Sequence, residues 1–245
     1  MTPKTTTLPP RLLRALDRFH AARPWDHNAH YHRWILRQLP ERFDRALDVG
    51  SGSGDLARRL AARATGAGGA GGGGAGGSGG SVVGVDADPA MVARARGLTR
   101  AGAPLTFTTG DAMGDGMPPG PYDVITCVAV LHHLPFAEAL ARFRQQLAPG
   151  GTLIVVGVAR TESRVDRLIG TAAVPANVAM AVLKNKGRKV GRPAAMTAPV
   201  RPAGMSFAEI SRGARRVLPG ARLRRRLFWR YTLVWHAPAM APVSQ

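Results

Sequence analysis

The alternation of apolar runs with helical segments is the feature that most constrains how this chain folds. Between residues 45 and 159, short apolar runs alternate with segments whose apolar residues recur at helical spacing. Strands are predicted at residues 45–49, 81–86, 105–109, 122–130 and 151–159. Helices are predicted between them at residues 55–64, 89–98 and 135–147. This order is typical of an α/β, doubly wound parallel sheet with helices on both faces.

The segments outside this alternation define the predicted domain organisation. Two helices, at residues 11–22 and 27–39, precede the first strand and form a predicted N-terminal helical cap over residues 1–40. The main domain then covers residues 41–245. It includes a glycine-rich segment at 65–80, which we predict to be a disordered loop expansion far from the carboxyl ends of the strands.

Charge and cysteine content limit the classes of partner that the protein is expected to bind and the compartment in which it is expected to fold. The net charge is +19, and residues 160–245 hold 17 Lys and Arg against 3 Asp and Glu. Such a region could meet nucleic acid, anionic lipid or an acidic substrate, but no RNA-binding motif accompanies it, so a nucleic-acid partner is not expected. The single cysteine, Cys127, leaves no disulfide framework and favours a cytoplasmic protein.

No segment of the sequence is predicted to cross a membrane. The best candidate, residues 170–183, is shorter than the roughly 20 residues that a span needs. Pro175 and Asn177 are expected to interrupt it. The N-terminus also lacks the apolar core of a signal peptide.

The stretch from Asp48 to Gly54, DVGSGSG, is the strongest candidate for a binding site. It joins a predicted strand to a predicted helix, where absent side chains let a ligand approach the backbone. The dinucleotide fingerprint needs glycine where this chain has Asp55, which disfavours a nicotinamide oxidoreductase. Asp48 would repel a pyrophosphate and suits a cationic amine instead.

A second acidic residue, Asp86, ends the next predicted strand. A carboxylate at this position can accept hydrogen bonds from both hydroxyls of a ribose. It follows Gly54 by 32 residues, whereas the expected gap is about 20. The glycine-rich segment accounts for the difference.

Together these motifs resemble the class I S-adenosylmethionine-dependent methyltransferases, in their small-molecule branch. The similar segments are LDVGSGSG at 47–54, VVGVDADPAMV at 82–92, TTGDAM at 108–113, YDVITCVAVLHHLP at 122–135, LAPGGTLIVV at 147–156 and LFWRYTLVWHAP at 227–238. The resemblance implies a Rossmann-like sheet of seven strands, mostly parallel, whose last strand is antiparallel. It also implies that residues 160–205 are an insertion that shapes the substrate site.

The resemblance also implies a role for individual residues toward S-adenosylmethionine, with S-adenosylhomocysteine as product. At the methionine end it implies contacts from His27, Tyr31, Asp48, Gly50, Ser51, Gly52, Cys127 and Val128. At the adenosine end it implies Asp86 on the ribose, with Ala87, Met91, Asp111 and Ala112 around the adenine. Met91 is equally well explained as a core residue, and Asp88 as the N-cap of the following helix.

The expected reaction is methyl transfer to a hydrophobic or aromatic small molecule. A general base is needed only if the acceptor must lose a proton, and His132 and His133, just past the fourth strand, are the first candidates. His27, His30 and His32 on the N-terminal helices are further candidates. No metal site is expected. Two alternatives remain open: an RNA or protein methyltransferase that uses the basic C-terminal third, and a non-catalytic partner subunit that binds the cofactor.

Overall fold

A seven-stranded sheet with helices on both faces forms the body of the protein in a computed structural model. The structure describes residues 10–65, 80–114, 116–188 and 201–239. The strands are β1 (Arg45–Val49), β2 (Ser81–Asp86), β3 (Leu105–Thr109), β4 (Tyr122–Val128), β5 (Leu147–Val158), β6 (Arg222–Arg226) and β7 (Arg230–His236). The helices are α1 (Pro10–Ala22), α2 (His27–His30), α3 (His32–Leu36), α4 (Asp55–Ala61), α5 (Pro89–Gly97), α6 (Phe136–Gln146), α7 (Arg164–Lys184) and α8 (Phe207–Val217).

The strand order is β3-β2-β1-β4-β5-β7-β6, and only β7 runs antiparallel to its neighbours. This confirms the doubly wound, mostly parallel sheet with an antiparallel last strand. The chain moves outward from β1 in one direction and then restarts at β4 in the other. The carboxyl ends of β1 and β4 therefore meet at the point where a ligand crevice opens in such sheets.

The core lies on both faces of the sheet because the central strands are buried throughout. Ala46 to Val49 on β1 are all buried, and alternate side chains point to opposite faces. Leu47 and Val49 join a cluster with α6 and α8, whereas Ala46 joins one with α3, α4 and α5. This pattern explains why the parallel strands read as continuous apolar runs.

Several predicted boundaries differ from the observed ones. The single helix predicted at 27–39 is two short helices that meet at Tyr31, whose hydroxyl donates a 2.7 Å hydrogen bond to the Leu227 carbonyl. A tertiary contact therefore fixes the junction. The closing strand pair begins at Arg222, earlier than the similar segment 227–238, and β5 begins four residues before the predicted 151.

The prediction that Pro175 and Asn177 interrupt the apolar segment is wrong. α7 runs through both residues from Arg164 to Lys184. Pro175 lies on the exposed side, where water can bind the Thr171 carbonyl that loses its intrahelical partner. Asn177 is buried but bonded to other helices. By length and composition alone, α7 is the one helix among the described residues that could cross a membrane.

The remaining predictions about organisation concern residues that the structure describes only in part. The glycine-rich segment falls mostly at 66–79, and part of the predicted insertion falls at 189–200, both outside the described residues. The ends of the glycine-rich segment are described: Gly80 donates a 2.7 Å hydrogen bond to the Thr65 carbonyl. The division into a cap over 1–40 and a domain over 41–245 stays a prediction.

Candidate functional site

A cavity of about 710 Å³ opens at the carboxyl ends of β1, β2, β3 and β4. Five segments of the chain line it, all of which follow a strand or belong to the N-terminal helices. The lining residues are Asp26, Asn28, His32, Asp48, Val49, Gly50, Ser51, Gly52, Ser53, Asp55, Leu56, Val85, Asp86, Ala87, Asp88, Pro89, Met91, Gly110, Asp111, Ala112, Val128, Ala129, Val130, His133 and Leu134.

The glycine turn after β1 forms the floor of this cavity. The N–H groups of Gly50 and Ser51 both donate to the Val85 carbonyl, at 2.8 and 3.0 Å, which ties the turn to β2. Gly50 and Gly52 have φ values of +68° and +52°, a conformation that favours glycine. A Cβ on Gly50 would overlap the Val130 side chain, whereas one on Gly52 would meet nothing within 4 Å. Gly52 thus leaves open space beside a backbone that a ligand can approach.

Asp86 is held in place by backbone donors. The N–H of Gly52 donates to its Oδ2 at 2.7 Å, and the N–H of Asp88 donates to its Oδ1 at 3.0 Å. Each carboxylate oxygen can accept a further hydrogen bond. Asp86 is therefore a fixed acceptor that can still bind two hydroxyl groups. Asp88 accepts from the Ala90 N–H at 2.8 Å, as predicted for an N-cap, and also lines the cavity.

Asp48 places a buried carboxyl group in the cavity wall. Only 2% of the residue is exposed, and the Thr126 hydroxyl donates to its Oδ1 at 2.7 Å. Burial, and to a smaller extent the charge of Asp86, raise the pKa of Asp48 to about 7. A cation next to this carboxyl would favour its ionised form.

The segments after β2 and β3 also line the cavity. Ala87, Met91, Asp111 and Ala112 all line the cavity there. The Met113 N–H donates to Asp111 Oδ1 at 2.9 Å, which orients the carboxylate. All four residues line the same cavity as Asp86, and their roles toward a ligand stay predictions.

The two histidines after β4 differ in position although their rings are 4.0 Å apart. His133 is exposed and lines the cavity, whereas His132 does not. The Nδ1 of His132 is buried without a hydrogen-bond partner. Burial, together with the nearby charges of His133 and Arg230, lowers the pKa of His132 to about 4. His132 is therefore neutral near pH 7, and only His133 faces the cavity.

Three residues predicted at the methionine end lie outside the cavity lining. The Nε2 of His27 lies 2.9 Å from Asn177 Oδ1, in a contact with α7. Tyr31 bonds the Leu227 carbonyl as described above. Cys127 is fully buried, and its burial raises the thiol pKa to about 12, so the thiol stays protonated. Their predicted roles toward the cofactor stay predictions, and Val128, next to Cys127, does line the cavity.

The cavity also contains residues that the sequence did not single out. The prominent ones are Asp26 and Asn28 from the N-terminal helices and Ala129 after β4. Asp26 caps α2 by accepting from two backbone N–H groups, a role that an aspartate before a helix signals in sequence. Ala129 has φ of +56°, which nothing in its sequence indicates. His32, predicted only as a candidate base, is buried in the lining, and burial lowers its pKa.

Within the described ranges, no group of three or more His, Cys, Asp or Glu residues could hold a metal ion. The acidic residues of the cavity accept hydrogen bonds from backbone N–H groups or from Thr126, except Asp55, which pairs with Arg58 at 2.7 Å.

Comparison with known proteins places this geometry in a family. A family model described as a methyltransferase domain matches residues 46–151, which contain the glycine turn, Asp86 and Asp111. An uncharacterized methyltransferase of Mycobacterium tuberculosis is 32% identical over 218 residues, covering 88% of this chain and 98% of that protein. The demethylmenaquinone methyltransferase of Thermus thermophilus is 34% identical over 123 residues, covering 49% of each protein.

A solved structure shows the same fold. The crystal structure of a SAM-dependent methyltransferase from Aquifex aeolicus matches with a TM-score of 0.53 at 15% identity, covering 94% of this chain and 99% of that one. At this identity the likeness concerns the fold alone. The mycobacterial relative, matched along nearly its whole length, shows the family. The chain belongs to the class I S-adenosylmethionine-dependent methyltransferases.

Proposed function

We propose that the protein is a cytoplasmic enzyme that transfers a methyl group from S-adenosylmethionine to a hydrophobic or aromatic small molecule. The observation that carries this proposal is that Asp48, Gly52, Asp86 and Asp111 line one cavity. These residues come from three different strand ends, so only the fold brings them together. The free, buried Cys127 is compatible with a reducing compartment.

The residues of the cavity fit the cofactor by three independent features. The Oγ of Ser51 is buried without a hydrogen-bond partner, so a ligand group can satisfy it. The open space at Gly52 admits a ligand beside the backbone. The raised pKa of Asp48 fits a ligand that carries an ammonium group. A sugar hydroxyl, a primary ammonium and a flat base would all find complementary groups here.

We assign the contacts accordingly. Asp86 accepts from the ribose hydroxyls, and Asp111, Ala112, Ala87 and Met91 flank the adenine. Asp48 attracts the ammonium group, with Gly50, Ser51, Gly52 and the backbone at Val128 around the methionine moiety. When bound, the cofactor supplies a methyl group that its positive sulfur already activates. The chain's own contribution is therefore alignment of the two reactants and exclusion of water.

The acceptor would lie between the end of β4 and the N-terminal helices. Ala129, Val130 and Leu134 give that part of the cavity an apolar wall, which supports an apolar acceptor. His133 is placed to take a proton from an acceptor hydroxyl, and it is the only one of the two adjacent histidines that faces the cavity. The Thermus relative, named for demethylmenaquinone, supports a small-molecule acceptor.

An RNA methyltransferase is the second candidate. The observation that favours it is an open groove on α8 and β6 lined by Arg212, Arg215, Arg216 and Arg225. This groove shares no lining residue with the cavity, so we favour the small-molecule reaction. The second candidate would be supported instead if the protein methylates RNA and if its RNA binding weakens steeply as the salt concentration rises.

Titration calorimetry with a pair of glycine variants tests the site. We expect the wild-type protein to bind S-adenosylmethionine and S-adenosylhomocysteine, and Gly52→Val to lose at least about 100-fold in affinity because the side chain enters the cavity. Asp86→Ala should weaken binding similarly. Gly102→Val is the matched control, since Gly102 also has a positive φ, +77°, and open space at its Cβ, but lies outside the cavity.

The control separates backbone strain from blockage of the site. Both valine variants should lose comparable stability on thermal unfolding, since both adopt a conformation that valine disfavours. Only Gly52→Val should lose the cofactor. Equal affinity of Gly52→Val and wild type would contradict the assignment of this cavity, and absence of binding by the folded wild-type protein would indicate a degenerate site or one that a partner completes.

A further inference from the structure

α7 has one face that packs against the protein and one that does not. Ala173, Asn177 and Ala181 are buried on the inner face. They pack in a cluster with Trp25 and Phe228. The helix is thus anchored to the N-terminal segment and to the turn between β6 and β7.

The outer face of α7 is apolar and exposed along the whole helix. Its exposed apolar residues are Val165, Leu168, Ala172, Pro175, Ala179, Val182 and Leu183, and Thr171 is exposed beside them. Leu168 and Leu183 are 71% and 74% exposed, and Val165 and Val182 are 51% and 42% exposed. No charged side chain occurs between Leu168 and Leu183. A stripe of this length exceeds the scattered apolar residues of an ordinary surface and is typical of an interaction site.

Cationic side chains stand at both ends of the outer face. Arg164 and Arg167 stand at the beginning of the helix, and Lys184 and Lys186 at its end, all exposed. α1 packs against the inner face instead, where His20 lies 3.1 Å from Asn177. Of the two acids near the start of α7, Asp166 is already paired with Arg225 at 2.6 Å. An apolar stripe between cationic ends is complementary to an anionic lipid surface.

We propose that the outer face of α7 docks on the surface of an anionic bilayer, with the helix lying in the plane of the membrane. Its side chains would enter the boundary between headgroups and acyl chains, while the flanking cations meet lipid phosphates. The helix does not cross the bilayer, because its inner face carries the hydrogen-bonded Asn177 and packs on Trp25 and Phe228. A span would expose this polar flank and the rest of the domain to hydrocarbon.

The charges argue against a second copy of the chain as the occupant. Both ends of the outer face carry cations, so two copies packed face to face bring like charges together in either orientation. A bilayer of anionic lipid meets the same cations with opposite charge. The surface therefore favours lipid over self-association.

Docking in this orientation has a consequence for the cavity. Trp25 and His27 contact the inner side of α7 through Asn177, and their neighbours Asp26 and Asn28 line the cavity. α7 and the N-terminal segment then separate the cavity from the bilayer by at least one helix diameter, about 10 Å. Docking would bring the cavity close to an acceptor that is dissolved in the membrane. Only this statement about the acceptor rests on the proposed function.

Vesicle co-sedimentation of the full chain tests the proposal. Vesicles of phosphatidylglycerol and phosphatidylcholine in equal parts are compared with pure phosphatidylcholine. We expect binding to the anionic vesicles that falls about tenfold or more at high salt. Leu168→Glu with Leu183→Glu should lower the partition coefficient about tenfold or more. Leu98→Glu is the matched control, because Leu98 is 52% exposed on the end of α5, away from α7.

Each outcome decides the proposal. Retained cofactor affinity shows that the variants are folded, and it reports on the methyltransferase site separately from lipid binding. The proposal is overturned if wild type does not bind anionic vesicles, if the double variant binds as well as wild type, or if Leu98→Glu loses as much. A wild-type dimer in light scattering that the double variant converts to a monomer, without vesicle binding, would identify the face as an interface between copies.

Discussion

At the scale of single residues, the chemistry of the site depends on a carboxyl group that is expensive to ionise. Asp48 lies on the central strand β1, where it is shielded by the sheet and by α4. Among the described residues, its one side-chain donor is the Thr126 hydroxyl, and a backbone hydrogen bond from Ala57 adds to it. The free protein therefore keeps a proton on Asp48 to a higher pH than an exposed aspartate does. A bound ammonium group would remove this cost, which links cofactor affinity to pH.

The buried carboxyl predicts a pH dependence of stability. Because its pKa of about 7 in the folded protein lies above the unfolded value, about 3.9, the folded state loses stability as pH rises between these two values. Asp48→Asn has no such group and keeps an acceptor for Thr126. The free energy of unfolding of Asp48→Asn minus that of wild type should increase by about 2 kcal/mol as the pH rises from 5 to 8.

Urea unfolding at the two pH values, without ligand, measures this gain. Asp44→Asn is the control, since Asp44 is an exposed carboxylate at the opposite end of β1. It should change the free energy of unfolding by less than about 0.5 kcal/mol at either pH. A gain for Asp48→Asn that is the same at pH 5 and pH 8 would contradict the raised pKa.

At the scale of elements, one side chain of α7 connects three parts of the chain. Asn177 accepts hydrogen bonds from Trp25 Nε1, at 2.7 Å, and from His27 Nε2, at 2.9 Å. Its amide nitrogen donates to His20 at 3.1 Å. The turn between β6 and β7 completes this contact by burying Phe228 against Trp25 at a ring distance of 4.9 Å. The N-terminal helices are thereby fixed over the cavity.

Replacing Asn177 with alanine should loosen this connection. Trp25 Nε1 and His27 Nε2 would be buried without an acceptor, which costs about 1–3 kcal/mol in free energy of unfolding. Thr171→Ala is the control on the same helix, because Thr171 is exposed and its hydroxyl bonds only the Arg167 carbonyl one turn earlier. Thermal unfolding compares them. Equal stability of the two variants would show that the network adds nothing to the attachment of the N-terminal helices.

At the scale of the whole molecule, the two ends of the strands differ in what they carry. The cavity lies at the carboxyl ends of the strands. The glycine-rich segment begins after α4 and ends before β2, at the amino ends of the strands. Its ends meet at the hydrogen bond from Gly80 to Thr65. The described ends of this segment, Thr65 and Gly80, lie outside the cavity lining.

Deletion of residues 66–79, with two glycines left as the connection, should preserve the fold and cofactor affinity. For a connection that makes no contacts of its own, shortening from 14 residues to two stabilises the protein by about 1–2 kcal/mol through loop-closure entropy. Urea unfolding and cofactor titration measure the two effects. A loss of affinity would show that this segment contributes to the site.

The sequence by itself determined the layers of this fold and half of its site. Strands such as 81–86 and 105–109 were predicted with their observed bounds because period and length are local properties. Residues directly after a strand, such as Asp86, could be placed because parallel strands end at one edge. The doubly wound order follows from the same alternation.

Only the tertiary structure decided what the N-terminal helices and α7 contribute. Helical spacing alone did not show that the helix is interrupted at Tyr31. Nor did it show that Asp26 and Asn28 line the cavity or that His27 contacts α7. Nor did it show that packing carries α7 through Pro175. These outcomes depend on contacts between residues more than 100 positions apart, and local propensity contains no information about such contacts.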